Sequence, residues 1–456
     1  MFQRRTRSIV FALFFIVAFF SISFDPAGAQ LNGSNSVGPG EPPAVFDPDG
    51  PPRTRTSLAP SLTFGGRLTL EYSLEKNFDL QKRREDNRSV TVPELWTAFS
   101  FDPNRNFQAF LNLEFSRADM LTASGDRENP FELRIQQAFL RFKGWMGDRL
   151  SIQIGRQRFR NSREWVYDDQ LDAARAVYRY SDLEITVAVG QSGLFREDLL
   201  NESRETPAKR VNDALLYGRY RLGEKKEMAA YALLRDDRSA GSRLFFYGLH
   251  ADGEMGGEQA GVGAGRLEYW LELAQVRGTE RGKEIRGVGF DLGGTYSLKR
   301  PWRPSLTLGY AFGSGGNPEE GGDRGFRQTG LQDNQDKWNG VTRFKYYGEL
   351  FDPELSNLSI FTGGVGIRLT QKSSLDLIYH SYWQHRASGR IREAAIGMEP
   401  TGLHRRLGSE IDLVAGYREI PDLNLECTVG VFFPGAAFPS NAENALLAQL
   451  KLRLFF

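Results

Sequence analysis

The last residues of the chain, 445–456, read ALLAQLKLRLFF. Apolar side chains occupy every second position from Leu446 onward, and Gln449, Lys451 and Arg453 lie between them. Because successive side chains of a β-strand point to opposite faces, this stretch predicts a strand with one apolar and one polar face. The polar face carries two cations and is expected to meet water, whereas the apolar face is expected to meet something else.

The same two-residue period recurs from about Ser61 to the end of the chain. Between Phe107 and Phe115, for example, apolar residues alternate mostly with polar ones. Many runs reach roughly ten residues, the length that a tilted strand needs to cross a bilayer, whereas strands of soluble sandwiches average about five or six. Charged residues recur on the polar faces, which favours a water-filled lumen. The pattern therefore predicts an all-β fold, a transmembrane antiparallel β-barrel over residues 61–456.

The number of runs and the segments between them predict the topology. About 18 or 19 runs can be marked, and a bacterial barrel with both termini in the periplasm requires an even number, so we predict 18 strands. The least regular run is 340–347. Turn residues such as those at 101–106 predict short periplasmic turns. Extracellular loops are predicted for the long polar segments 191–211, 313–339 and 385–407.

The composition of the chain excludes several classes of protein. A mean hydropathy of −0.43 is too polar for a helical membrane protein, and the one long apolar run, from Ile9 to Phe20, is shorter than the ~20 residues of a spanning helix. The 58 Lys and Arg residues nearly balance 57 Asp and Glu residues, which predicts no nucleic-acid partner. A single cysteine, Cys427, excludes an intrachain disulfide framework. With 4 His and no spaced His/Cys cluster, the sequence predicts no metal and no cofactor.

The N-terminal residues 1–29 have the three parts of a secretory signal peptide. A charged stretch ending at Arg7 precedes the apolar run, and Ala27-Gly28-Ala29 supplies small residues before a cleavage site. Residues 30–60 are rich in Gly, Pro, Ser and Asn, which predicts a flexible periplasmic segment. The terminal aromatic Phe456 is typical of strands recognised by the outer-membrane insertion machinery. These features predict a location in the outer membrane of a Gram-negative bacterium, in contact with its lipid.

Three stretches are longer than a generic barrel pattern. They are IGRQRF at 154–159 with its continuation to Asp172, RFKYYGEL at 343–350 with its continuation to Leu358, and FFPGAAF at 432–438. Together they resemble the alginate export family, the outer-membrane porins that pass alginate out of alginate-secreting bacteria. The resemblance covers nearly all of the predicted barrel. It implies an 18-stranded monomer with a pore lined by Arg and Lys, plugged by loops until periplasmic secretion machinery engages.

The resemblance and the alternation together predict a substrate pathway. In the family, Arg, Asp and Asn side chains around the first stretch belong to the pore constriction, and Gln170 stands here where an Asn is expected. Because parity would turn Arg156 outward with Ile154, we expect the strand to end near Gly155 and a loop to follow. Every lumen cation has a second interpretation, in which it pairs with an acid on a neighbouring strand. The predicted pathway residues are Arg67, Arg156, Arg158, Arg160, Arg163, Asp168, Gln170, Asp172, Arg175, Arg179, Arg266, Arg343, Lys451 and Arg453.

These features predict a porin that exports an anionic polysaccharide such as alginate. A polyuronate carries one carboxylate per sugar, which the planar fork of Arg binds and a ring of cations selects. Passage is expected to be passive and assisted by charge. A porin for small anions or other oligosaccharides is the alternative. An enzyme is disfavoured, because His380 and Ser381 are adjacent in a predicted strand and face opposite sides, away from each other.

Overall fold

The computed structural model of the chain describes residues 50–82, 86–122, 125–194, 198–200, 211–256, 265–316 and 322–456. The predicted signal peptide, 1–29, and the first part of the predicted flexible segment, 30–49, lie outside the described residues. Within the described ranges, no helix is long and apolar enough to cross a membrane. The regular secondary structure that these ranges contain consists of β-strands.

The strands are numbered in chain order. Their bounds are β1 Thr56–Ala59, β2 Leu62–Lys76, β3 Arg88–Asn104, β4 Phe107–Ser116, β5 Asp119–Thr122, β6 Gly125–Glu128, β7 Glu132–Trp145, β8 Leu150–Arg160, β9 Asp168–Tyr180, β10 Leu183–Ser192, β11 Val211–Gly223, β12 Lys226–Asp237, β13 Ser242–Gly256, β14 Arg266–Glu280, β15 Lys283–Ser297, β16 Ser305–Gly313, β17 Gln335–Asp336, β18 Phe344–Lys345, β19 Leu358–Arg368, β20 Ser373–Gln384, β21 Arg406–Tyr417, β22 Leu423–Pro434 and β23 Ala445–Phe455.

Eighteen of the strands in the described ranges form one closed antiparallel barrel. Its wall runs through β2, β3, β4, β7 to β16 and β19 to β23, each hydrogen-bonded to the next. The first and last of these strands close it, in a register that runs from Arg67 opposite Phe455 to Lys76 opposite Leu446. The predicted fold class, the predicted number of 18 strands and the predicted terminal strand are therefore confirmed.

The two faces of the wall have opposite character. On β2, Leu68, Leu70 and Tyr72 are 43%, 48% and 44% exposed on the outside of the barrel, whereas Arg67 and Thr69 on the inner face are buried. The exterior is therefore apolar and the interior polar, the reverse of a soluble protein. A barrel that faces lipid outside and water inside requires this arrangement.

The connections between strands distinguish the two ends of the barrel. We call the end where β2 begins and β23 ends the turn end; strands are joined there by short connections such as 105–106. The opposite end, which we call the loop end, carries the longer connections 314–357, 385–405 and 435–444. This division agrees with the predicted short turns and long loops. Much of the predicted loop at 191–211 lies outside the described residues.

Residues 314–357 connect β16 to β19, and we call them the inward segment. Many of its described residues, 314–316 and 322–357, fold into the barrel, where Phe326, Phe344 and Leu355 are buried. The segment enters from the loop end, turns at 337–343 and returns, with β17 and β18 paired as its stem. Its turn reaches the turn end of the barrel. There the Asn339 side chain donates to the Arg303 carbonyl at 2.8 Å, and Arg368 Nε donates to the Asn339 carbonyl at 2.5 Å. The inward segment thus runs the length of the lumen.

One prediction for this part of the chain was wrong, and one open alternative is decided. In its described residues, the extracellular loop predicted over 313–339 enters the lumen. The least regular of the marked runs, 340–347, belongs to the inward segment rather than to the wall, which leaves the 18 predicted strands. Phe344 and Tyr346 are buried in the interior, and Lys345 forms ion pairs with acids of the same segment. The run alternates because each of its two faces has a different partner inside the lumen. A polar composition does not distinguish outside water from a charged lumen, so the sequence could not show this.

Aromatic side chains of the inward segment pack against the wall. The Phe351 ring stacks on Phe432 of β22 with centroids 5.1 Å apart, and it meets Tyr382 of β20 edge-on at 4.6 Å. Nearer the turn end, Trp338 stacks on Trp270 of β14, with 5° between the ring planes. These contacts give the lumen an apolar centre inside a polar wall, and they fill part of the passage.

The expectation that β8 ends near Gly155 was also wrong. The strand continues to Arg160, and Gly155 has a φ of 123°, a conformation that side chains rarely allow. A Cβ at this position would lie 2.2 Å from the Ala138 carbonyl oxygen. The unusual backbone changes the direction of the side chains that follow, so that Ile154 is exposed outside while Arg156 is buried inside.

The structure also differs from the predicted flexible segment over residues 50–60. Strand β1 pairs with the beginning of β2, with Thr56 opposite Phe64. The Arg67 guanidinium donates to the Gly50 carbonyl at 2.9 Å. The backbone groups of β2 and a lumen arginine offer hydrogen-bond partners that a composition rich in Gly and Pro does not reveal.

Candidate functional site

Arg163 links the inward segment to the barrel wall. It lies in the connection between β8 and β9, with a side chain only 3% exposed. Its guanidinium contacts Asp291 of the wall at 3.1 Å and Asp336 of the inward segment at 2.8 Å. The same group lies over the rings of Trp270 and Tyr346, 4.4 and 4.3 Å from their centroids. Burial alone would lower the pKa of the Arg163 guanidinium. The negative charge of Asp291 outweighs this effect, so the pKa lies above the ordinary value of an arginine.

Two sets of hydrogen bonds strengthen this link. Trp165 Nε1 donates to the Tyr347 hydroxyl at 2.8 Å, and that hydroxyl donates to Asp291 at 3.1 Å. Farther toward the loop end, the Glu410 carboxylate of β21 accepts the backbone N–H groups of Leu350 and Phe351 at 2.7 and 3.0 Å. Buried donors and acceptors are costly to leave without partners, so these bonds favour the inward position of the segment.

The predicted pathway residues on β8 and β9 form a ladder of ion pairs. Arg156 pairs with Asp172 at 3.0 Å, and Arg158 grips Asp168 with two nitrogens at 2.5 and 2.6 Å. Gln170 lies opposite Arg158 in the strand register. The second interpretation of these arginines, an ion-pair network, therefore describes the geometry of the ladder.

Glu164 continues the ladder beyond the strands. It pairs with Arg160 at 2.5 Å and with Arg343 of the inward segment at 2.8 Å. Burial raises the pKa of the Glu164 carboxyl to about 8 even though both arginines oppose the shift. Arg343, a predicted pathway residue, thus links the inward segment to the connection that carries Arg163 through its ion pair with Glu164.

Arg175 has a different environment from the ladder. Its guanidinium and that of Arg141 donate to the same neutral oxygen, Gln153 Oε1, at 3.1 and 2.8 Å. Arg175 also lies over the Phe159 ring, 5.3 Å from its centroid. Two cations therefore converge on one amide oxygen of the lumen wall. Arg179, on the same face of β9, is exposed and pairs with Glu184 at 2.7 Å.

The remaining predicted cations lie on other parts of the wall. Arg67 lies over the Trp96 ring at 4.2 Å. Lys451 pairs with Glu71 at 2.7 Å, Arg453 with Glu426 at 2.6 Å, and Arg266 with Glu254 and Glu268. The pathway residues therefore form several separate groups around the lumen, and the structure does not bring them into one ring.

A water-accessible chamber of about 510 Å³ opens at the turn end, next to Arg163. The stacked Trp270 and Trp338 form part of its lining. Most residues of this chamber were not among the predicted pathway residues, because its walls combine strand termini with the tip of the inward segment. The cations that line it are Arg163, Arg221, Lys225, Lys226, Arg266, Lys337 and Arg368.

Other residues that shape the site were missed as well. Arg141 lies on the polar face of a predicted strand, so alternation could have found it. Glu410 and Trp338 gave no such signal, because their roles depend on contacts with the inward segment. His380 lies beside Thr362, with Nδ1 2.9 Å from its hydroxyl oxygen, and not beside Ser381.

Glu354 provides a pH-sensitive contact near the loop end. Its carboxylate accepts the Gln328 N–H at 2.8 Å and pairs with Arg392 at 2.8 Å. Burial raises the pKa of Glu354 to about 7, although Arg392 opposes the shift. Because the pKa is raised in the folded protein, the Glu354 carboxyl stabilises its folded contact with Gln328 at low pH. This stabilisation is lost as the pH rises through 7.

We expect the Gln328 amide to lose about tenfold of its protection from hydrogen exchange between pH 6 and pH 8, after correction for the intrinsic rate. Glu354→Gln keeps the acceptor oxygen and removes the titration, so its protection should not change with pH. An equal loss of protection in both proteins would show that another group titrates.

A closed 18-stranded wall, apolar outside and polar inside, defines an outer-membrane β-barrel protein whose turn end faces the periplasm. The chain belongs to the alginate export family, because residues 61–447 match the family model named Alginate export.

Curated relatives match only part of the chain. It is 24% identical over 242 residues to the alginate production protein AlgE of Pseudomonas aeruginosa, covering 46% of this chain and 48% of that protein. It is 25% identical over 185 residues to the Azotobacter vinelandii protein of the same name, covering 36% and 38%. The chain thus spans about half the length, or less, of these relatives.

Solved structures share the fold. Acinetobacter baumannii OccAB1 has a TM-score of 0.61 and 11% identity, covering 89% of this chain and 99% of that chain. The outer membrane protein OprD of Pseudomonas aeruginosa has a TM-score of 0.56 and 10% identity, covering 87% and 93%. At this identity the similarity concerns the barrel architecture alone.

Proposed function

We propose that this barrel exports an anionic polysaccharide of the polyuronate class, alginate or a polymer of similar chemistry, across the outer membrane. The observation that carries the proposal is the convergence of Arg141 and Arg175 on one oxygen of Gln153, which places two guanidinium groups side by side on the lumen wall. Membership of the alginate export family supports it, since the relatives are alginate production proteins. Passage is passive, driven by supply of the polymer from the periplasm.

The chemistry of the lumen suits a polymer that must bind and leave. Arg forms planar, charge-assisted hydrogen bonds with carboxylates at every working pH. Ladder arginines such as Arg158 already hold a carboxylate, and a uronate can exchange with that acid or bridge to the arginine's outer edge. Several weak contacts in series allow the chain to advance, whereas a single deep site would stop it.

Transport requires the inward segment to move. Its tip is held at the turn end by the Arg303 carbonyl, which lies in the connection 298–304. A protein of the periplasmic secretion machinery that engaged this connection would act directly on the contact with Asn339. The wall closes within one chain, so a single chain encloses the whole proposed pathway.

Substitution of Arg175 tests the proposal. The experiment uses barrels from which most of the inward segment, residues 315–356, has been removed so that the lumen is open. In these barrels, Arg175→Ala should weaken block of the ionic current by an oligouronate about tenfold, because a charge-assisted hydrogen bond is lost. The measurement is the blocking constant in planar bilayers, with oligouronate added on the turn-end side.

Arg238→Ala is the matched control, since Arg238 is exposed in the connection between β12 and β13. It should leave the block unchanged, and neutral oligosaccharides should block both variants equally weakly. A channel that passes chloride selectively while oligouronate never blocks it would favour the alternative, a porin for small anions.

A further inference from the structure

Three adjacent strands bring four ionisable side chains together on the lumen wall. His250 and Asp252 are two residues apart on β13 and therefore share a face. Glu227 of β12 lies opposite Asp252 in the register, and Glu272 of β14 lies opposite His250. This cluster is not visible in the sequence, because only the pairing of the strands makes these residues neighbours.

The imidazole of His250 has a carboxylate at each nitrogen. Its Nε2 lies 2.6 Å from Asp252 Oδ1 and 3.9 Å from Glu227 Oε1. Its Nδ1 lies 2.7 Å from Glu272 Oε1. One donor atom from each of Glu227, His250 and Asp252 can be chosen so that all lie within 4.8 Å of one another. Three potential ligand atoms thus lie close enough to surround one ion, and the Glu272 carboxylate at the second ring nitrogen orients the imidazole.

The cluster has a net negative charge that a bound cation would neutralise. Three carboxylates surround a single imidazole, and Glu272 is fully buried, with Oε2 lacking a hydrogen-bond partner. Arg219 lies 3.6 Å from Glu227, at the edge of ion-pair range. A proton on His250 neutralises one of the negative charges, whereas a divalent ion in its place neutralises two. Buried carboxylates without such compensation carry a large desolvation cost.

We propose that Glu227, His250 and Asp252 form a binding site for a divalent transition metal ion, with Glu272 holding the imidazole from behind. One imidazole and two carboxylates suit Zn²⁺ and its neighbours Co²⁺ and Ni²⁺ better than Ca²⁺, which prefers oxygen ligands. A carboxylate on the second ring nitrogen is the usual partner of a metal-bound histidine. Water or the Ser162 hydroxyl, 3.1 Å from His250 Nε2, is available as a further ligand.

The site has an entry path and needs little rearrangement. Glu227, Asp252 and Ser162 line the chamber at the turn end, so a hydrated ion can reach them from that side. Zinc–ligand distances of ~2.1 Å require neighbouring ligand atoms to be separated by roughly 3 Å or more. The present 2.6 Å between His250 Nε2 and Asp252 Oδ1 would therefore widen slightly when the metal replaces the proton.

The test uses the full barrel in detergent micelles, without a His tag, after removal of metals with a chelator. We expect one equivalent of Co²⁺ to give visible d–d absorption, which one equivalent of Zn²⁺ abolishes and excess Ca²⁺ leaves in place. His250→Ala and Asp252→Asn should lose the signal. Glu272→Gln should weaken Zn²⁺ binding about 10- to 100-fold, as measured by calorimetry. His404→Ala, which removes an exposed histidine outside the cluster, should bind as the unmodified protein does.

Folding of each variant is checked by its heat-dependent mobility in gels. The conservative Asp252→Asn change supplies the decisive result if His250→Ala does not fold. Absence of a cobalt signal in the unmodified barrel would overturn the proposal and leave His250 as a protonated partner of its carboxylates. A signal of equal strength in Asp252→Asn and Glu272→Gln would also overturn it, because the metal would then lie elsewhere.

Discussion

Excision of residues 315–356 should convert the closed barrel into an open channel. The inward segment runs the length of the lumen and fills it with packed aromatic side chains such as Phe351 and Trp338. An empty barrel of 16 to 18 strands leaves an aqueous channel, so we expect the single-channel conductance in planar bilayers to rise roughly tenfold or more. No other single change to this chain is expected to have a larger effect on ion flow.

The ends of the inward segment make the excision feasible. Gly313 and Leu358 are paired neighbours on β16 and β19, and the Asn357 N–H donates to the Ser314 carbonyl at 3.1 Å. A short Gly-Ser turn between Ser314 and Asn357 therefore preserves the register of the wall. Far-UV circular dichroism and heat-dependent gel mobility provide the control that the 18-stranded wall remains folded.

The conductance of the excised barrel has a clear contrary result. If a correctly folded barrel without residues 315–356 conducted no more than the intact one, the block would lie elsewhere. The connections 385–405 and 435–444 at the loop end would then be the structures to remove next.

Replacement of Arg163 by Ala should release the inward segment without removing it. The substitution leaves Asp291 and Asp336 without their shared cation, although Trp270 and Tyr347 still donate to Asp291. Loss of one partner from a buried ion pair costs about 3 to 5 kcal/mol, and the remaining donors place this case at the lower end. We therefore expect the open fraction of the intact barrel to rise roughly a hundredfold.

The open fraction is measured as the time spent in the conducting state in single-channel recordings. Arg179→Ala is a matched control, because Arg179 lies on the wall with an exposed side chain paired to Glu184. It should open no more often than the unmodified barrel. Equal opening of both variants would show that Arg163 does not hold the segment, and that hydrogen bonds such as those to Glu410 suffice.

The excision of residues 315–356 tests gating, whereas block of the excised barrel by oligouronate tests transport. If the excised barrel conducts but oligouronate does not block it, the inward segment acts as a plug, as proposed, and the proposed substrate is wrong. A closed excised barrel would contradict the plug while leaving the family assignment intact.

Much of the wall was predictable because its chemistry is local. Strand β23 follows directly from the alternation of Leu450, Lys451, Leu452 and Arg453, since a period of two exposes the same face to the same solvent along the strand. The inward direction of Arg67 follows from the same rule. Arg156 breaks the rule, because the positive φ of Gly155 redirects the chain at one residue.

The barrel, its 18 strands and the sign of the charge at many lumen positions follow from the alternation along the chain, because each depends on neighbours within one strand. Three features became visible only once the chain was folded: 340–347 fills the lumen, Arg163 joins two acids far apart in the chain, and His250 lies among three carboxylates. Those features depend on the register between strands and on where a loop packs. Contacts of this kind join residues that are distant in sequence, so no local period records them.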